Sequence, residues 1–558
     1  KTTSRPVSLV ARAVSKHRGA AVVLDSVTVS VDAGSRLGVV GPNGVGKTTL
    51  LKILAGLDAP DGGLVSRVPA WSTVGYLPQE ADRRPGETLL AHLARRTGVA
   101  EATELLERAA VALGAGDADP VVAVALGETS AEACYEAALD RYLSLGGPDF
   151  EARAEEVCSD LGLPLRTLEL EMTGLSGGQA ARASLASVLL SRFDVLLLDE
   201  PTNDLDFAGL DRLEEFLGQA RGGVVIVSHD RAFLERTITS VLEIDEHTRG
   251  ATEYAGGWLA YLEARATARR HASEAFESYQ SERRALLTRA REQRQWAVSG
   301  VSREKKNPRD NDKAQRDFRI NRTENLASKV RITEKHLERL EREKVDKPFE
   351  GWDLRMTLPV APHSSEVAAY VREGVIIRGT WSIGPIDLEV RAGDRLAVRG
   401  PNGSGKSSLI HAMLGRLPLA SGEAGLGPST VVGELDQARR RLEREEPLVV
   451  SFGRASGLLP EQTRSLLAKF GLTSSHVERA AATLSPGERT RSELALLMAC
   501  QTNCLVLDEP TNHLDLPAIE ELEQALETYN GTLILVTHDR RLLEAVEIDR
   551  EISLESAE

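Results

Sequence analysis

The chain repeats itself, and the repeat limits its possible folds more than any other feature. Residues 41–49 and 400–408 both read G-P-N-G-x-G-K-[ST]-[ST]. Each run follows a short apolar stretch, 37–40 or 396–398. Each precedes a helical pattern, Leu50, Leu51, Ile53 and Leu54 in one copy and Leu409, Ile410, Met413 and Leu414 in the other. Strand, glycine loop and helix are the context in which this motif binds phosphate. Gly41, Gly44 and Gly46, and likewise Gly400, Gly403 and Gly405, let backbone N–H groups turn inward where a side chain would block an anion. The helix N-terminus adds the positive end of its dipole. Lys47 and Lys406 are expected to reach β/γ-phosphates, and Thr48 and Ser407 to offer a hydroxyl to Mg²⁺. Asn43 and Thr49, with Asn402 and Ser408, complete the two cradles.

A second pair of motifs fixes the register. Apolar runs at 195–198 and 505–507 lead into Asp199-Glu200 and Asp508-Glu509. Such runs read as buried parallel strands whose C-terminal ends meet a ligand crevice. The Asp suits Mg²⁺ through water, and the Glu suits a base that orients an attacking water. Glu200 to Glu509, Ser176 to Ser485 and His229 to His538 are each 309 residues apart, which is the signature of duplication. With 558 residues, 42% hydrophobic and 27% charged, there is room for two to four soluble domains. The apolar runs are strand-length, too short to span a bilayer, and residues 1–6 show no signal-peptide pattern. The four cysteines are too few and scattered for a disulfide framework, so a reducing, cytoplasmic setting is expected, with Cys500 and Cys504 read as core.

Between phosphate loop and acidic strand lie Leu175-Ser176-Gly177-Gly178-Gln179 in the first half and Leu484-Ser485-Pro486-Gly487-Glu488 in the second. Here the chain resembles an ATP-binding-cassette ATPase with two nucleotide-binding domains, the superfamily whose signature is LSGGQ. The resemblance implies an α/β fold and a role for each matching residue. Gln79 and Gln437 match the loop glutamine near Mg²⁺ and the γ-phosphate. His229 and His538 match the switch histidine on the γ-phosphate, and residues 203–206 and 512–515 match the D-loops. The halves are then expected to close head to tail, with Lys47 facing Ser485 and Gly487 and Lys406 facing Ser176 and Gly178. Each ATP is bound from both sides, with Gln179 and Glu488 counted in the two signatures. The second signature departs at Pro486 and Glu488, and Asp204 stands where His513 stands, so the two sites are not expected to be equal. The adenine-stacking aromatic is missing near residues 16–19, where Arg18 or His17 substitutes; the second half offers no convincing equivalent.

Spacing exposes an insertion. Gln79 to Ser176 is 97 residues, whereas Gln437 to Ser485 is 48, so the first half carries 49 extra residues, placed within about 95–160. Apolar spacing at Leu105, Leu106, Ala109, Ala110 and Leu113, and again at Cys134, Ala137, Leu139, Tyr142 and Leu143, reads as an antiparallel helical arm. Residues 80–171 hold 19 acids and 8 bases, which makes the arm a poor RNA ligand. A basic protein partner and a merely solvated surface both remain open.

Residues 263–347 invert that balance, with 23 Lys/Arg against 15 Asp/Glu in a chain of net charge −15. The segment is rich in helix formers, and its sparse apolar residues (Phe276, Tyr279, Leu286, Leu287; Leu326, Val330, Leu337, Leu340) fall at intervals of 3, 4 and 7. An antiparallel hairpin is predicted, each arm roughly 35 residues and roughly 50 Å long, with turn material at 298–302 and 306–312. Its tip, 283–322, carries 13 bases and 5 acids, with Trp296 and Phe318 flanking the turn. Bases with interleaved aromatics fit RNA contact, through Arg294, Trp296, Arg303, Lys305, Lys306, Arg309, Lys313 and Arg316; a solvated coiled coil is the plain alternative.

Two cassettes (1–257 and 349–558), an arm, and a charged helical linker (258–348) without a membrane domain resemble the ABC-F family. The resemblance implies a cytoplasmic, monomeric ATPase whose two domains pair within one chain. It implies binding at the ribosomal E site, with the linker reaching 23S rRNA, P-site tRNA and the peptidyl-transferase centre. ATP and Mg²⁺ are the implied ligands. Within the family the reading leans to antibiotic target protection, on the proline-containing tip beside Trp296; a housekeeping translation factor is the alternative. The ATPase subunit of a drug exporter leaves the basic hairpin without a job. DNA-repair ATPases sharing LSGGQ carry zinc-binding cysteine pairs or a very long coiled coil that this chain lacks.

Overall fold

The computed structural model describes residues 7–79, 83–203, 205–306, 331–342, 344, 366–378, 381–435, 442, 445–484, 486–500, 502–512 and 514–554, with backbone alone at 296–306 and 486–487. Backbone contacts divide the chain into one unit of residues 1–259 with 352–558 and a second of 260–351.

In the first unit each half is built on a mainly parallel sheet. The first half orders its strands Val74–Leu77, Val195–Asp199, Gly223–Val227, Arg36–Val40, Ser240–Ile244 and Ala251–Ala255, only the last pair being antiparallel. The second half orders Val432–Leu435, Cys504–Asp508, Thr532–Val536, Arg395–Arg399 and Arg550–Ser553, all parallel. The strands before the phosphate loop and the acidic pair are apolar because both faces are covered; Arg36–Val40 and Val195–Asp199 are buried along their whole length. A three-stranded antiparallel sheet packs on each, Ser8–Arg18 pairing with Ala21–Asp32 and Gly62–Val68, and Val367–Arg378 with Trp381–Arg391 and Ser421–Leu426.

Between these layers lies the helix that follows each phosphate loop. Lys47–Ala55 buries Leu50, Leu51, Ile53 and Leu54, and Lys406–Met413 buries Leu409, Ile410 and Met413, at about 2 kcal/mol for each large apolar side chain. The loop is thereby clamped to the sheet at its C-terminal edge.

The extra residues of the first half form three helices, Val99–Ala115, Pro120–Leu126 and Ala131–Ser144, around a small core of Leu105, Ala109, Val122, Cys134 and Ala138. The buried faces are rotated from the expected ones: Leu113 and Leu143 are exposed, and Ala112 and Ala138 lie inside. The next helix, Phe150–Asp160, packs on the signature helix and is not part of the arm.

The helix Gly257–Lys306, which lies in the second unit from residue 260 on, runs for 50 residues, roughly 75 Å. It passes through 298–302 without breaking, so the expected turn there is not formed: Val298, Ser299, Val301 and Ser302 do not stop a helix already propagated by its neighbours, and a single glycine weakens it by only about 1 kcal/mol. Residues 331–342 are helical and run antiparallel to it, with Arg283 paired to Glu341, Arg294 to Glu334, and Gln293 accepting a hydrogen bond from Thr333 at 3.0 Å. Phe276, Tyr279, Leu286, Leu287, Leu337 and Leu340 are half-buried.

Candidate ATPase site

In both halves the sheet edge, the phosphate loop and the acidic pair converge. Gly46 and Gly405 adopt φ of 115° and 92°, and a side chain at Gly405 would strike the ring of Trp381. Only glycine tolerates both constraints. Lys47 Nζ donates to the carbonyls of Gly41 (2.6 Å) and Pro42 (3.2 Å), and Lys406 Nζ to those of Gly400 (2.8 Å) and Pro401 (3.1 Å). Each buried ammonium is thus arched over its own loop, within reach of an anion in the cradle, and burial lowers the pKa of both.

The acidic strands end in a common distortion. Glu200 and Glu509 have φ of 51° and 47°, left-handed values that only glycine adopts freely, yet each N–H is bonded across the sheet, to Val227 O (2.8 Å) and Val536 O (2.9 Å). Such strain costs about 1–3 kcal/mol and concentrates at functional positions. It turns the carboxylates out of the ladder into a cleft of about 760 Å³ lined by Gln79, Asp199, Glu200 and His229 of one half and Asn402, Glu509, Asn512 and His538 of the other. His229 Nε2 lies 3.1 Å from Glu200 and His538 Nε2 lies 3.5 Å from Glu509. Burial raises the pKa of Glu200 against the opposing pull of Lys47, and burial followed by repulsion from Lys406 pushes His538 down to about 4. The histidine faces its glutamate as a neutral imidazole.

Asp199 takes a hydrogen bond from Tyr76 Oη at 3.1 Å and another from Thr48; Asp508 accepts from Ser407 Oγ at 2.7 Å. One hydroxyl and one carboxylate thus meet at the mouth of each loop. No group of three His, Cys, Asp or Glu donors occurs among the described residues. That set fits Mg²⁺, which takes most of its oxygens from water and phosphate.

The halves meet head to tail. Asp206 Oδ2 accepts from the Asn402 N–H of the opposite loop (3.1 Å), and Asp515 Oδ2 from the Asn43 N–H (3.2 Å), while each Asp caps its own helix through Oδ1. A side chain on Gly178 would lie 3.7 Å from Asn402, so the first signature faces the second loop. Ser176 and Gln179 close a reciprocal capping box on the helix Gly177–Leu189. Glu488 faces Arg479 and His476, both at 3.3 Å. Repeat-related ion pairs join the halves: Arg231 with Glu523, and Arg540 with Glu214 (2.8 Å) and Asp211 (2.6 Å).

Gln437, Ser485, Asp204 and His513 lie outside the described residues, as do Arg309, Lys313 and Arg316; Trp296, Arg303, Lys305 and Lys306 are described by backbone alone. Arg294 is paired with Glu334. Cys504 is buried but Cys500, expected in the core, is exposed, because it ends the helix Pro486–Ala499 before the strand begins.

Sequence reasoning missed Trp381. It opens its strand opposite Arg378, as Ala21 opens its own opposite Arg18, and it lines the second loop's pocket with Arg378, Lys406 and Ser407. Aligning the two hairpins, Arg18-Gly19 with Arg378-Gly379, would have found it. His17, the alternative stacker of the first half, donates its backbone N–H to Asp61 Oδ2 at 2.6 Å.

The profile of the family described as ABC transporter matches residues 24–203 and 383–512. The chain is 35% identical over 550 residues to the tylosin resistance ATP-binding protein TlrC of Streptomyces fradiae, covering 97% of this chain and 96% of that one. It is 31% identical to the energy-dependent translational throttle protein EttA of Mycobacterium tuberculosis, covering 95% and 88%. The chain belongs to the ABC-F family of ATP-binding-cassette ATPases. The fold is also shared with an RNase-L Inhibitor structure, at a TM-score of 0.55, 19% identity, and coverage of 98% of this chain and 87% of that one. Like other ABC-F proteins it carries two nucleotide-binding ATPase domains, and no helix among its described residues is long and apolar enough to cross a membrane.

Proposed function

We propose that this ABC-F protein is a cytoplasmic, ribosome-binding ATPase that occupies the E site, directs the tip of its linker toward 23S rRNA, P-site tRNA and the peptidyl-transferase centre, and protects the ribosome from an antibiotic. The observation that carries this reading is the match to the tylosin resistance protein, which runs through the linker as well as both ATPase domains. The basic tip supports it, since cations and aromatics are what RNA selects.

In this mechanism each ATP lies between a phosphate loop and the opposite signature. Lys47 with Thr48, or Lys406 with Ser407, takes the β/γ-phosphates. Gln79 and Gln437 stand beside them. Ser485 with Gly487, or Ser176 with Gly178, completes the γ-phosphate shell from the other half, as head-to-tail contact at Gly178 supports. Mg²⁺, held by Thr48 and Asp199 or by Ser407 and Asp508, supplies charge neutralisation on the phosphates. Glu200 and Glu509 orient the attacking water, and neutral His229 and His538 hold the γ-phosphate end. ATP favours the closed clamp because both halves bind it, and hydrolysis removes that differential affinity and releases the protein.

Expression in a drug-sensitive host should raise tolerance to a large-subunit antibiotic, and the Glu200→Gln, Glu509→Gln protein with ATP should cosediment with ribosomes. Unchanged susceptibility across such drugs, with ribosome binding intact, would favour the second reading, a translation factor. The 31% identity to the translational throttle protein supports that alternative.

A further inference from the structure

We propose that Phe207 is a positioning residue acting across the interface: it holds the switch histidine of the second site, so turnover there depends on a side chain from the first half. This rests on the two-site ATPase reading above. Phe207 directly follows Asp206, whose carboxylate is bonded to the second phosphate loop at Asn402. It begins the helix Phe207–Gln219 and is delivered across the boundary by that bond. Its half-buried ring packs on the hydrophobic core of the second half.

The ring meets His538 edge-on, with centroids 5.3 Å apart and planes at 75°. The guanidinium carbons of Arg399 and Arg540 lie 5.4 and 5.8 Å from the ring centroid. Arg399 immediately precedes Gly400, and Arg540 follows His538 by two residues. One aromatic ring therefore lies against the residue that precedes the phosphate loop and against two residues of the switch, His538 and Arg540. An imidazole held this way keeps Nε2 aimed at Lys406 Nζ (3.3 Å) and Glu509 (3.5 Å). Without a neighbour fixing its plane, the ring is free to rotate, since sp³–sp² torsions are broad.

The first site lacks this assembly. The position matching Phe207 in the repeat is Leu516, and that matching Arg399 is Val40; neither provides a π-face or a cation. Arg231 is the counterpart of Arg540 and is ion-paired in the same way, so the ring and the Arg399 cation are what separate the two sites.

The test is rapid-quench hydrolysis at varied ATP in Glu200→Gln protein, where the burst reports the second site, and in Glu509→Gln protein, where it reports the first. Phe207→Leu should slow the second-site burst roughly tenfold, less than the roughly 100-fold cost of a misplacement of about 1 Å, with half-saturating ATP little changed. Phe207→Tyr should restore it, and the first-site burst should not move. Leu516→Phe should speed the first site. Thermal melting and nucleotide binding establish that each variant is folded. An unchanged second-site burst in folded Phe207→Leu protein, or equal slowing of both sites, overturns the proposal. Absence of hydrolysis in the unsubstituted protein would instead overturn the ATPase reading itself.

Discussion

In the first half the strand before the loop glutamine presents Tyr76, whose hydroxyl bonds Asp199 at 3.1 Å; the second half has Glu434 there, paired with Arg416. Trp381 lies against the second phosphate loop, and Ala21 holds the matching strand position in the first half. Across the boundary, the second loop faces the LSGGQ signature at Gly178, whereas the other half's signature reads LSPGE in sequence. The backbones nevertheless agree closely: φ is 148° and 149° at Gly41 and Gly400, and 51° and 47° at the two glutamates. Duplication preserved the frame that phosphate chemistry demands, where a small displacement is severe. It allowed divergence at the periphery, where side chains adjust affinity and rate.

The largest expected effect tests whether the two sites are separable. Glu200→Gln and Glu509→Gln should each remove one site's phosphate release by about 100-fold or more, as for loss of a general base, and together abolish it. Complete loss from either single substitution would mean the sites turn over only in concert.

Next comes the base. Trp381→Ala should weaken adenine-nucleotide binding roughly tenfold at the second site, the scale of one stacking interaction, measured with a fluorescent ATP analogue. Ala21→Trp should strengthen the first site. Equal affinities before and after would end the distinction between Trp381 and Ala21.

The interface pairs follow. Arg540→Ala loses Glu214, Asp211 and the Phe207 ring, whereas Arg231→Ala loses Glu523. These arginines are mostly buried, so the closed state seen by energy transfer between labelled halves should weaken roughly tenfold for the first and a few-fold for the second. The reverse order would contradict the asymmetry.

The smallest effect lies in stability. Glu521 is buried where the first half has exposed Arg212, and burial pushes its pKa from 4.5 up to about 7. The folded chain keeps this proton between pH 4.5 and 7, where the unfolded chain has lost it. Stability therefore falls as pH rises through that window, then levels off. Glu521→Gln should raise the melting temperature above pH 7 by an amount equivalent to roughly 1–3 kcal/mol, and the gain should vanish near pH 4.5. A gain independent of pH would assign the effect to packing.

Local sequence carried the phosphate loops, acidic strands, signatures and switch histidines, because each is a short motif whose residue types are set by the chemistry of a phosphate. The insertion was legible from spacing alone. The turn at 298–302 was misread, because local turn formers yield to a long helix already nucleated. Trp381 was missed because it reaches Gly405 through a hairpin that lies 24 residues upstream in the chain.

The sequence by itself determined the repeated ATPase frame, since glycine, lysine and carboxylate positions follow from phosphate geometry wherever they occur. Only the tertiary structure decided which side chains serve the other half's site. Asp206 on Asn402 and Phe207 on His538 join residues 196 and 331 positions apart. No period or local motif encodes such contacts, which exist only once two separately folded cores are pressed together.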